Sequence, residues 1–332
     1  VGFAGEGMAM GERSPLAIFN PAASGRMAIA ESLTNLLAAP FELERVKISA
    51  NWMAACGEPG EDAALYDTVR AVGMALCPAL GISIPVGKDS LSMRTQWQAD
   101  DKPQKAVSPV SLVATAFAPI DDVRGTLTPQ LDQRIADTSL ILIDLGRGKM
   151  RMAGSQLAQL LDQTDTHAPD LDDPQDLIAL INAINALRQT GAILAYHDRS
   201  DGGLMATLCE MAFAGHVGVA INVDMLLVEG DGITDSRMDV GDSKNWASQV
   251  TARRAERTIR VREKPFAQEK VNQCQVDVEL DVIRIRHGFQ QAVCRPKLKA
   301  FHLVIIGARH DTFRDFQVIA MQHIAPEPLI IP

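Results

Sequence analysis

The sequence predicts a mixed α and β fold in two domains, followed by a tail of different character, and three observations carry that reading. Apolar runs of strand length alternate with stretches of helical period along residues 1–225. A polar, Pro-containing break at residues 121–138 separates two such sets, and the pattern changes again beyond about residue 227. A chain of 332 residues with 47% hydrophobic content is long enough for two cores, at roughly 100–200 residues per domain.

The elements follow in order. Residues 1–24 are rich in Gly, Met and Ala, and Gly5, Gly7 and Gly11 allow the backbone to pack closely or turn sharply. Ser24 offers a cap for a helix running to about Pro40. Residues 46–52 and 81–86 read as strands, with a helical stretch near 61–76 between them, and residues 107–117 read as a buried strand. Past the break, residues 140–145 begin a new apolar strand that runs into Gly146 and Gly148. Gly154-Ser155 starts a helix, residues 177–187 form another, residues 192–197 are a strand, and residues 203–214 are a helix entered from two glycines. The boundaries expected are 1–125, 126–228 and a tail at 229–332.

Charge and composition exclude several classes. The net charge of −9 argues against wholesale binding to nucleic acid or an anionic membrane, which reward a basic face. Residues 1–225 hold 16 basic and 27 acidic residues and the remainder 16 and 14, so that charge divides into −11 and +2. The Arg-rich run at 253–257 has no clean amphipathic period and suits a solvated face. Five cysteines, Cys56, Cys77, Cys209, Cys274 and Cys294, form no CxxC pair and sit beside no His at zinc-finger spacing, so they read as reduced thiols. No apolar stretch approaches the roughly 20 residues that cross a bilayer, and the start lacks a basic signal-peptide region. The expected location is cytoplasmic, and the absence of an initiator Met before Val1 suggests a fragment.

Three segments carry candidate chemistry. At residues 195–204 an apolar strand runs directly into Asp198, Ser200 and Asp201, and Gly202-Gly203 then turn into a helix. A carboxylate at a strand end can hold magnesium, a hydroxyl can contact a nucleotide, and a helix N-terminus favours anionic oxygens; an Asx-turn with a helix cap explains the same residues equally well. His197 could serve as base, ligand or strand-end hydrogen bonder. Glu31 and Asn35 stand one turn apart on one helix face, and both offer oxygens that magnesium accepts, although such a pair is more often a surface hydrogen bond. Gly87-Lys88-Asp89-Ser90 follows a strand and offers close backbone approach with a mobile positive charge. It lacks the glycine spacing of a P-loop, Pro85 interrupts it, and a salt-bridged turn is its plainer explanation. The glycines at 146, 148 and 154 do not fit GxGxxG. Glu58, Glu61 and Asp62 could act as bases or ligands, and a solvated helix start explains them as well.

The segments SANWMAACGEPGEDAALYD at 49–67, PVGKDSLSM at 85–93 and HDRSDGGL at 197–204 resemble, in this order, phosphoribosylformylglycinamidine synthase of the large, single-chain type. NPAASGRMAIAESLTNLLAAP at 20–40 and CEMAFAGH at 209–216 extend the likeness to about two thirds of the chain. The resemblance implies an α+β fold of aminoimidazole ribonucleotide synthetase-like N-terminal and C-terminal units, here the second copy of a tandem duplication. It implies ATP-dependent conversion of formylglycinamide ribonucleotide and glutamine to formylglycinamidine ribonucleotide in purine biosynthesis. The second copy implies an auxiliary nucleotide site with Mg2+ and ATP or ADP, at which Glu31, Asn35 and Asp198 are magnesium ligands and Ser200 touches the nucleotide. Lys88, Asp89 and Ser90 match a motif lining the nucleotide and substrate clefts. The partners implied are the other synthetase half and a glutaminase domain, whose Cys, His and Glu have no counterpart here. No catalytic residue is assigned, and the chain by itself is expected to be inactive; a non-catalytic Mg-nucleotide module is the alternative.

Beyond about Met225 the likeness stops. A shifted reading frame would explain this, with a genuine but divergent C-terminal extension as the alternative: Ser243–Ala247 can encode Glu-Glu-Leu-Gly in the frame that lets residues 305–310 encode Tyr-Trp-Gly-Glu-Thr. An out-of-frame tail is not selected for packing, so little order is expected there.

Overall fold

The computed structural model describes residues 2–222 apart from 133, 135–137, 147–148, 150 and 163–166, and beyond them the strand segments 258–261, 275–277, 282–285, 301–306 and 316–319. The chain is mixed α+β, as the sequence predicts, and divides into two compact units that do not follow linear order. The first comprises Val1–Thr126 with Arg151–Ala186; the second includes Leu127–Met150 and the segment from Leu187 through Ile306.

The first unit is built on a four-stranded sheet. Its strands are β1 (Gly5–Glu12), β2 (Lys47–Met53), β3 (Ser83–Ser90) and β6 (Ser111–Ile120), in the order β1-β6-β2-β3. β6 is antiparallel to both β1 and β2, and β2 and β3 are parallel. Helix α1 (Pro21–Leu36) lies against β1 and β6. Alternate residues of β6, namely Leu112, Ala114, Ala116, Ala118 and Ile120, are buried, as period two requires of a sheet with one covered face.

Helix α1 begins at Asn20 and not at Ser24. Asn20 is extended, its side-chain oxygen accepts from the Ala23 N–H at 3.0 Å, and Pro21 fits the first turn. Ser24 is buried inside the helix and donates to the Arg13 carbonyl at 2.7 Å. Ala23, Met27, Ala28, Ile29, Ala30, Leu33 and Leu36 are all buried, so α1 is covered on more than one side and has no single apolar stripe. Two glycines permit this. A Cβ on Gly11 of β1 would stand 2.1 Å from the Ala28 carbonyl oxygen and 2.5 Å from the Ser32 nitrogen; one on Gly25 would stand 2.6 Å from Thr68.

Thr68 belongs to α2 (Glu61–Val69), which continues through a π-helical stretch, Arg70–Leu76, into the single turn α3 (Cys77–Leu80). One helix predicted near 61–76 is therefore three consecutive segments. Strand β3 runs on through Ser90, where the sequence reading ended the strand at residue 86 and placed 87–90 after it. Gly87 makes the extension possible, because a Cβ there would lie 2.5 Å from the Ala50 carbonyl oxygen of β2. The hairpin of β4 (Arg94–Ala99) and β5 (Lys102–Val107) was not foreseen, and it includes the exposed Val107, so the buried strand read at 107–117 runs instead as β6 over Ser111–Ile120. The hairpin's side chains are almost all exposed, so apolar alternation does not mark it. It is held down where Glu58 meets Lys105 at 2.6 Å and Arg94 at 3.6 Å.

Residues 151–186 complete the first unit. Ser155 caps α4 (Gln156–Leu160), accepting from the Ala158 N–H, as Gly154-Ser155 predicts. Asp170 is buried and takes both Nε (2.6 Å) and Nη2 of Arg26 on α1. Burial works against the charge of Arg26, and the Asp170 carboxylate more than offsets it, so its pKa is raised. On α5 (Pro174–Gln189), Asn185 donates to the Phe41 carbonyl at 2.9 Å.

In the second unit β7 (Ser139–Asp144) and β8 (Ile193–His197) form a five-stranded sheet with β12 (Val282–Ile285), β13 (Phe301–Ile306) and β14 (Phe316–Ile319), in the order β12-β14-β7-β13-β8. Helix α6 (Leu204–Gly215) follows β8, and β9 (Gly218–Asn222) pairs with β10 (Thr258–Val261) and β11 (Gln275–Asp277). These tail segments are strands where the shifted-frame reading expects little order; Phe301–Ile306 is an apolar run of the kind that fills a parallel strand paired on both sides. Residues 243–247 and 307–310, with Cys274 and Cys294, lie outside the described residues, while Cys56, Cys77 and Cys209 are free thiols.

Candidate functional site

The predicted site residues fall in both units. In the first, Glu31 and Asn35 project from the same face of α1 towards edge strand β1. Glu31 Oε2 accepts from the Glu12 N–H at 3.0 Å, and Asn35 Nδ2 donates to the Met10 carbonyl at 2.8 Å. These bonds satisfy backbone groups on a strand whose outer edge has no sheet neighbour among the described residues. They also orient the Asn35 amide, leaving Oδ1 as its atom for a cation.

Lys88 and Ser90 share one face of β3, where Lys88 Nζ donates to Ser90 Oγ at 2.9 Å. Asp89 alternates to the opposite side. Lys88 and Asp89 are exposed. Their register partners on β2 are Asn51 for Lys88, Trp52 for Asp89 and Met53 for Ser90.

In the second unit the segment after β8 has the predicted strand-turn-helix form. Gly202 and Gly203 adopt φ of +93° and +82°, conformations in which a side chain is strained. The Ser200 N–H donates to Thr207 Oγ1 at 2.9 Å, and the Thr207 hydroxyl lies 3.2 Å from the Gly203 carbonyl oxygen it donates to. Thr207 is fully buried, so the turn is anchored from inside the helix it leads into.

Glu210, one turn beyond Thr207, gathers the polar groups of the turn. Its Oε2 lies 3.0 Å from His197 Nε2 and accepts a hydrogen bond from Ser200 Oγ. His197 Nδ1 faces the Asp198 carbonyl oxygen at 2.7 Å and Asp198 Oδ1 at 3.3 Å. Both ring nitrogens thus face acceptors, the arrangement that suits a doubly protonated imidazole. Burial would lower the His197 pKa, but the Asp198 and Glu210 carboxylates outweigh it and raise it. Asp198 itself is 18% exposed at the strand end.

Thr207 and Glu210 were missed from the sequence. The available signal was their spacing of three residues, which places them on one helix face, and the position of Glu210 as the only charged residue in the run LMATLCEMAFAG.

Among the described residues no group of three or more His, Cys, Asp and Glu side chains is arranged to hold a metal, and no helix is long and apolar enough to cross a membrane. The donor chemistry at each predicted position nevertheless fits magnesium: Asp198, Ser200, Glu31 and Asn35 supply hard oxygens, and magnesium takes few of these, completing its shell with water and phosphate.

Two stretches of the chain match models of AIR synthase-like domains. Residues 1–119 match the family model described as FGAR-AT PurM_N-like domain, and residues 140–245 match AIR synthase related protein, C-terminal domain; the second match runs past residue 228. Similar solved structures include T. maritima PurL complexed with ATP, at 14% identity and a TM-score of 0.42, covering 66% of this chain and 30% of that chain. A HypE–HypF complex is 16% identical, with a TM-score of 0.46, covering 68% of this chain and 67% of that one. E. coli HypE is 16% identical, with a TM-score of 0.41 and coverage of 75% and 74%. The chain spans about three tenths of the length of the PurL chain.

Proposed function

We propose that this chain is the second AIR synthase-like half of the synthetase core of a phosphoribosylformylglycinamidine synthase, and that it holds a magnesium nucleotide at an auxiliary site. The observation that carries the reading is the succession of an FGAR-AT PurM_N-like match and an AIR synthase-related C-terminal match along one chain, with the acidic turn at 197–203 inside the second. Glu31 and Asn35 of the first unit and Asp198 of the second are each proposed as magnesium ligands, Ser200 contacts the nucleotide, and Lys88, Asp89 and Ser90 line a nucleotide or substrate cleft. When bound, magnesium neutralises phosphate charge. The chain's residues position it: Gly202 and Gly203 bring the N-terminus of α6 to the turn, and Thr207 fixes the Ser200 backbone.

The partners proposed are the other synthetase half and a glutaminase domain. The uncovered face of the first sheet supports the former. Met8 and Phe117 are paired across β1 and β6 and are 69% and 40% exposed, and Met10 and Val86 on the same face are 63% and 62% exposed. Apolar residues gathered in this way suit an interface. The proposed reaction joins formylglycinamide ribonucleotide, ATP and glutamine-derived ammonia, with the chemistry outside this chain.

Ammonia-dependent ADP formation from formylglycinamide ribonucleotide tests the reading. The chain alone is expected to give none, and the chain combined with the missing half is expected to restore it. Turnover by the chain alone would contradict the auxiliary role, and failure of any combination to turn over would favour a nucleotide-binding module without catalysis. The intact gene sequence around codons 225–245 tests whether the tail is read out of frame: absence of the family motifs from both other frames refutes it.

A further inference from the structure

We infer that Glu210 is a positioning residue that fixes the Ser200 hydroxyl as a hydrogen-bond acceptor towards the ligand, so that Ser200 makes its contact with the nucleotide through the magnesium ion or its coordinated water and not through a direct bond to a phosphate oxygen. The inference rests on the Mg-nucleotide reading of this turn. A hydroxyl has one proton and two lone pairs, and an ionised carboxylate can only accept. Ser200 Oγ stands within hydrogen-bond reach of Glu210 Oε2, so its single proton is committed there. The Thr207 hydroxyl also approaches Ser200 Oγ, at 3.3 Å, but it already accepts from the Ser200 N–H at 2.9 Å, and the charged Glu210 oxygen is the stronger acceptor for the Ser200 proton. What Ser200 offers outward is therefore a lone pair. A phosphate oxygen, itself an acceptor, gains nothing from a lone pair; a cation or a metal-bound water does.

Glu210 is held on the other side by His197 Nε2 at 3.0 Å, so its carboxylate is fixed between an imidazole and a hydroxyl and does not sweep freely from the helix. Its side chain is half exposed, at 50%, and packs no core, which separates a positioning role from a folding one.

The test is calorimetric titration of the full chain with ADP, in magnesium and in EDTA, across a double-mutant cycle. Ser200→Ala and Glu210→Ala are each expected to weaken binding of ADP with magnesium by about five- to tenfold, in the range of a charge-assisted hydrogen bond at a half-exposed position. The double variant is expected to lose no more than either single one, because both remove the same contact. Glu210→Gln, whose amide oxygen can accept the same bonds, is expected to stay within about threefold of the parent. In EDTA the five proteins are expected to bind ADP alike. Additive losses, unchanged affinity in Glu210→Ala beside a weakened Ser200→Ala, or equal losses in EDTA would each overturn the inference while leaving the nucleotide site standing. A parent chain that binds no ADP in magnesium would overturn the site itself, and the inference with it.

Discussion

Replacing Gly11 with alanine is expected to destabilise the first unit by about 3 kcal/mol, the upper part of the range for overpacking a close-packed contact. The added Cβ would stand 2.1 Å from the Ala28 carbonyl oxygen and 2.5 Å from the Ser32 nitrogen. Both are backbone atoms of α1, so no side chain can swing aside and the helix must move off β1. That displacement would also break the two bonds that fix the candidate ligands, Glu31 to the Glu12 N–H and Asn35 to the Met10 carbonyl. Urea unfolding of the variant should therefore show a lowered midpoint, and magnesium-dependent nucleotide affinity should fall in the fraction that remains folded. A midpoint within experimental error of the parent would contradict the close contact.

The second large effect is expected at Asp170. Its carboxylate takes two nitrogens of Arg26 while only 8% of the residue is exposed. Asp170→Ala would leave a half-buried guanidinium on α1 without that partner, and breaking a buried pair from one side costs about 3–5 kcal/mol. Arg26 keeps 25% of its side-chain surface in water, so about 2–3 kcal/mol is expected. Asp170→Asn, which keeps one acceptor, should lose less. The comparison separates the pair from the packing around it: equal losses in both variants would assign the effect to shape alone. Because residue 170 lies far along the chain from α1, the same experiment tests whether residues 151–186 fold with the first unit.

These two sites show where reading the sequence succeeds and where it stops. Strands β2, β6, β7 and β8 are legible because their apolar residues recur at strand period or in short unbroken runs, and α4 because Ser155 caps it in the ordinary way. Gly11 was marked as a place of close packing or sharp turning, and the close packing is what the structure shows. The N-cap of α1 was misplaced because Asn20-Pro21 and Ser24 both carry capping chemistry; Ser24 instead spends its hydroxyl on the Arg13 carbonyl. The β4–β5 hairpin was invisible because RTQWQA and KPQKAV are exposed along almost their whole length, which removes the burial that creates alternation. The Arg26–Asp170 pair could not be read at all, since nothing local links residues so far apart.

At the candidate site the balance is similar. The turn itself was legible, because a strand ending in acids and two glycines before a helix has few other ways to fold. Gly202 and Gly203 occupy the positive φ values that the turn needs. Glu210 was not legible, because a single acid in an apolar helix looks like a solvated position until His197 and Ser200 are seen to converge on it. Glu31 and Asn35 illustrate a different limit: helical spacing put them on one face, but only the structure shows that this face serves the backbone of β1 as well as any cation.

The measurement that bears most directly on the central claim is calorimetric titration of the whole chain and of its Asp198→Asn variant with ADP in the presence and absence of magnesium. The account predicts saturable binding by the parent chain that depends on magnesium, and a loss of roughly tenfold or more in the variant, as expected when a charged ligand oxygen is made neutral. Binding that is the same with and without magnesium, or the same in Asp198→Asn as in the parent, would contradict it.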